Sequence, residues 1–80
     1  MRRNSIPLKS VPVGKKVIVS ELRSDGSALR RMFDLGLIVG TEIEPLYESP
    51  SGDTRAYLIR GAVIALRADL SGKIMVDYKY

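Results

Sequence analysis

Apolar residues in this chain come only in short runs, and turn residues break every one of them. The longest uninterrupted run is Ala62 to Leu66, five residues. A membrane-spanning helix needs about twenty apolar residues, so none is expected. Most of the runs are β-branched. Lys16 to Leu22, Thr41 to Tyr47, Arg55 to Arg60, Ala62 to Arg67 and Lys73 to Tyr78 all read as strands. Between them lie Pro12 and Gly14, the Ser49-Pro50-Ser51-Gly52-Asp53 cluster, Gly61, and Asp69 to Gly72. Five short strands in 80 residues imply a small barrel, because closure leaves the fewest unpaired edges. Pro45 lacks a ladder donor and marks its strand as an edge or a bulge.

One segment has a different period. After Ser24-Asp25-Gly26-Ser27, in which Asp25 or Ser27 can cap, Ala28, Leu29, Met32 and Phe33 recur at helical spacing. Arg30, Arg31 and Asp34 fall on the opposite face. The helix has about two turns and must draw its stability from a sheet. It ends at Gly36, where a left-handed backbone suits a helix C-cap, and Leu37 can fold back on Met32. Gly40 then turns the chain into the next strand, while Gly14 and Gly61 punctuate other junctions. Ile38 and Val39 at this junction either half-bury or form an apolar tip suited to docking.

The spacing of Gly36 and Gly40 has two other readings, and both fail. A G-x-x-x-G membrane contact needs an apolar helix around it, but Asp34 and Glu42 flank this pair. A phosphate loop needs Gly-Lys-Ser/Thr, and Gly40 is followed by Thr41-Glu42.

Composition narrows the chemistry. There is no cysteine and no histidine, so neither a disulfide staple, a soft-metal site nor a His-activated nucleophile is available. Glu42 and Glu44 share a strand face but supply too few ligands for a hard cation. No metal and no cofactor is expected, and the chain reads as a non-enzyme. Thirteen basic residues against nine acidic give a charge of +4, which permits an acidic partner without requiring one. Arg2 and Arg3 resemble a signal leader, but Ile6-Pro7-Leu8-Lys9 breaks any apolar core after them, so a cytoplasmic location is expected. Residues 1–7 read as a flexible N-terminal tail and residues 8–80 as one domain, with Leu8, Val11 and Val13 packed over one end of the core.

The order of these signals resembles the FeoA family of small accessory proteins in bacterial ferrous iron uptake. Leu8 and Val11-Pro12-Val13-Gly14 before a strand match its opening pattern. Arg31-Met32-Phe33-Asp34-Leu35-Gly36-Leu37-Ile38-Val39-Gly40 matches its R-L-x-D-L-G-L-x-P-G signature, with Met32 for a frequent leucine and Val39 for a frequent proline. Gly61, Ile64-Ala65-Leu66-Arg67 and Ile74-Met75-Val76 match its later block. The resemblance spans residues 8–78. It implies a mainly β, SH3-like barrel of about five strands, with one short helix between the first two. It also implies a regulatory protein–protein interaction with FeoB, a membrane transporter with a cytosolic GTP-binding domain. Membrane association would then be indirect, through the transporter. On that reading Arg30, Arg31, Asp34, Leu37, Ile38 and Val39 are the candidate contacts, and Gly14, Gly36, Gly40 and Gly61 are structural turns. The alternative is a small basic RNA-binding barrel. With four tyrosines, one phenylalanine and a charge of +4, nucleic acid binding is not expected. Self-association is a third possibility, through the proline-interrupted strand from Glu42 to Tyr47.

Overall fold

The computed structural model describes residues 3–79. Six strands form one antiparallel sheet: β1 (Arg3–Pro7), β2 (Val17–Leu22), β3 (Glu42–Glu48), β4 (Thr54–Ile59), β5 (Ala62–Arg67) and β6 (Ile74–Lys79). Their order across the sheet is β1-β6-β2-β3-β4-β5. The sheet coils into the small SH3-like barrel that the sequence led us to expect. Helix α1 (Gly26–Asp34) lies between β2 and β3 in the chain, and a four-residue helix, α2 (Ala68–Ser71), joins β5 to β6.

Burial alternates at the start of β2, whereas β4 and β6 bury three residues in a row, Arg55 to Tyr57 and Ile74 to Val76. Val17 and Val19 of β2 are buried while Ile18 between them is exposed. Tyr57 and Ile59 of β4, and Ile74 and Val76 of β6, face the core with Leu8, Val11, Met32, Leu37 and Ile43. Pro45 sits within β3 beside a bulge, with the register shifting between Pro45 and Tyr47. Its carbonyl accepts a bond from Gly14 N–H at 2.8 Å, tying the segment before β2 to β3. The β4–β5 turn is Arg60–Gly61, with φ of 51° and 84°. Two successive positive φ values suit the right-handed twist of the flanking strands.

Several expectations need correction. Residues 3–7 are a strand, not a flexible tail, so the sheet has six strands in place of five. Their polar residues carry no local strand pattern. They are ordered by pairing with the far end of the chain, from Arg3 opposite Lys79 to Pro7 opposite Met75. Met1, Arg2 and Tyr80 lie outside the described residues. Val13 is exposed, leaving Leu8 and Val11 to cover the core end. Asp25 occupies the N-cap position of α1 without a side-chain cap bond. Phe33 is 51% exposed while Met32 is fully buried. With about 100° per residue, Phe33 points to the flank of a helix whose inward line runs through Met32. Finally, β3 lies between β2 and β4, so it is not an edge; the terminal strands of the sheet are β1 and β5.

Candidate docking site

Helix α1 ends in two bonds that close its last turn. Gly36 N–H donates to Phe33 O at 2.9 Å, and Leu37 N–H donates to Met32 O at 2.8 Å. This is the double bond pattern of a left-handed C-cap, and Gly36 has a φ of 85°. Leu37 and Met32 are both fully buried in one cluster, so the apolar contact expected of such a cap belongs to the core. The backbone conformation calls for glycine, and a side chain here would also displace the flexible Arg60 stem. A Cβ at Gly36 would meet Arg60 Cδ at 2.7 Å.

Beyond the cap, the loop over residues 37–40 is braced by Thr41. Its hydroxyl donates to Gly36 O at 3.1 Å and accepts from Ile38 N–H at 3.3 Å. Gly40 N–H donates to Val19 O at 2.8 Å, and Val19 N–H donates to Thr41 O at 2.9 Å. The loop is therefore stitched to β2 while its tip faces solvent, with Ile38 45% and Val39 64% exposed. An apolar tip fixed in advance loses little conformational entropy on binding.

The expected contact residues separate into three places. Leu37 is core and cannot touch a partner. Ile38 and Val39 form the exposed tip. The charged residues divide by helical angle: Arg30 and Asp34, four residues apart, share a ridge, and Arg31 is about 100° away. Arg30 and Asp34 line a groove of about 370 Å³ with Leu29 and Phe33. Arg31 lines another, of about 360 Å³, with Leu35 of α1, Ile64 and Leu66 of β5, and Leu70 of α2. Among the described residues none of the three charges forms an ion pair. Gly14, Gly40 and Gly61, like Gly36, have positive φ, as expected of turns.

Sequence reasoning missed the second groove and two anchoring side chains. Thr41 carries no pattern that separates it from a surface threonine. Arg55 does: it shares strand parity with Tyr57 and Ile59, so it must point inward. It is 7% exposed, and donates from Nη1 to Lys9 O at 2.9 Å and from Nη2 to Val11 O at 2.8 Å. Its guanidinium also lies 5.6 Å from the Tyr57 ring centre. Tyr57 is fully buried, and burial pushes its phenol above the ordinary value, against smaller opposing effects of Ser71 and Arg55. A stacking surface for RNA cannot use this ring. No described helix is long and apolar enough to cross a membrane.

A small coiled sheet that carries a braced apolar tip and charged grooves beside a short helix defines an SH3-like barrel. The FeoA domain profile matches residues 6–78. The chain belongs to the FeoA family, and that membership places it in ferrous iron transport. The solution structure of a FeoA-like protein from Clostridium acetobutylicum is similar, with a TM-score of 0.84, 32% identity, and coverage of 95% of this chain and 87% of that one. Iron(II) transport protein A from Clostridium thermocellum has a TM-score of 0.87 at 25% identity, over 90% of this chain and 44% of that one. A manganese-dependent transcriptional repressor shares the fold at 18% identity, with a TM-score of 0.81 over 41% of its length. No curated protein matches the sequence.

Proposed function

We propose that the protein is a non-catalytic, cytoplasmic accessory of ferrous iron uptake that regulates FeoB by docking on its cytosolic GTP-binding portion. The observation that carries this reading is the Ile38–Val39 tip, exposed on a loop that Thr41 fixes in place. An apolar centre suits an interface, and α1, which leads into this loop, adds charges on two sides, Arg30 with Asp34 on one and Arg31 on the other. The partner handles nucleotide and iron, and this chain contributes surface. Its contact with the membrane is through the transporter alone.

The test is binding of the cytosolic portion of FeoB by variants of each part. Val39→Glu should lower affinity at least about tenfold, the effect of losing a central apolar contact. Arg30→Glu with Arg31→Glu should act more weakly and mainly on the association rate. Unchanged binding in both would remove this end of the molecule from the interface.

A further inference from the structure

Strand β5 ends the sheet, and its edge lacks the usual protection. A free strand edge invites pairing, and natural edges carry charges, proline or a bulge against it. β1, at the opposite end of the sheet, has Arg3 and Pro7. β5 has only uncharged apolar residues from Ala62 to Leu66. Its register with β4 runs unbroken, from Thr54 opposite Arg67 to Ile59 opposite Ala62.

That register fixes which backbone groups are free. Ile59 and Ala62 close the two-residue turn and exchange bonds, and so do Tyr57 with Ile64 and Arg55 with Leu66. Val63 and Ala65 therefore point their N–H and C=O groups away from β4. Among the described residues those groups meet no backbone partner.

A groove runs beside this edge. It holds about 360 Å³ between β5, α1 and α2, and Leu35, Ile64, Leu66 and Leu70 line it. Every second side chain of a strand added to β5 would turn toward it. Arg31 also lines the groove, without an ion pair among the described residues. Arg67 is engaged with Asp69 at 3.9 Å, so Arg31 is the uncommitted charge.

We propose that the β5 edge binds an extended peptide segment of a partner protein by strand addition. The segment has apolar residues at alternate positions and one carboxylate within reach of Arg31. Main-chain bonds to Val63 and Ala65 hold it, alternate side chains enter the groove, and the acid sets the register. A second copy of this chain does not meet these terms. Its strand edges among the described residues are β1 and β5, and neither carries an acidic residue to offer Arg31. The site is distinct from the Ile38–Val39 tip, and Arg31 is the one residue it has in common with the docking reading above.

The test is an NMR titration of the full chain to about 2 mM peptide. The probes are capped octapeptides of alternating valine and serine, with one glutamate placed at each position in turn. At least one should bind and slow amide exchange at Val63 and Ala65 at least about tenfold, as new hydrogen bonds protect those groups. Ala65→Pro removes an outward N–H and no bond to β4, so it should abolish binding while the rest of the spectrum is kept. Arg31→Glu should weaken the glutamate peptide at least about fivefold and favour the same peptide with lysine in its place, an exchange that damage to the fold cannot produce. Failure of every peptide to protect Val63 and Ala65 would overturn the proposal, as would binding indifferent to Ala65→Pro. So would protection that rises with protein concentration alone, because the edge would then belong to a second copy.

Discussion

Replacing Gly36 with alanine separates two costs that the structure places at one atom. The first is conformational. At a φ of 85°, a Cβ carries strain of about 1–2 kcal/mol. The second is steric. The new Cβ would lie 2.7 Å from Arg60 Cδ, so the arginine stem must leave its well, at about 0.5–1.5 kcal/mol. Together they give about 1.5–3.5 kcal/mol, against a total stability of about 4–12 kcal/mol expected for 80 residues. Gly40 supplies the control. Its φ is 97° and nothing lies within 4 Å of its Cβ position, so Gly40→Ala should cost the strain alone. Arg60→Ala removes the obstacle. In urea denaturation the double variant Gly36→Ala with Arg60→Ala should recover the steric part, giving a coupling of about 0.5–1.5 kcal/mol. Equal losses at Gly36 and Gly40 with additive effects of Arg60→Ala would refute the reasoning, since the arginine would then not be what glycine accommodates.

Three further outcomes follow, two of them at buried side chains. Arg55→Met leaves the Lys9 and Val11 carbonyls without their donor and should lower stability by about 2–4 kcal/mol in urea melts. Glu48→Gln, which loosens a 3.5 Å contact from a side chain 54% exposed, should cost under about 1 kcal/mol. The phenol of Tyr57 has its pKa raised by burial, so the unfolded chain ionises first. Its contribution to stability is complete below the unfolded value of about 10 and is lost as pH rises through the folded value. Denaturation midpoints followed above pH 10 should therefore fall more steeply in the wild type than in Tyr57→Phe, and parallel curves would contradict this.

The sequence disclosed what is local. Gly36 and Leu37 declared a helix end because cap chemistry depends on neighbours, and the bulge at Pro45 followed from a missing donor. Features created by distant pairing stayed hidden. β1 is held by β6, more than sixty residues away, and its own residues carry no strand period. Leu37 was offered as a contact because its apolar character fits an interface and a core equally well, and its bond to Met32 decided for the core. Arg30 and Arg31 are adjacent in sequence, yet a helix turns them onto different grooves. The outward-pointing backbone groups of Val63 and Ala65 needed the register of β4 with β5 before they could be identified.

The most direct measurement is a calorimetric titration of this protein into the cytosolic portion of the same organism's FeoB, with and without guanine nucleotide. A saturable heat that Val39→Glu removes is the predicted result, and a nucleotide-dependent affinity would tie the contact to the GTP cycle. Absence of heat, together with no binding to the complete transporter in a membrane mimetic, would contradict docking on FeoB.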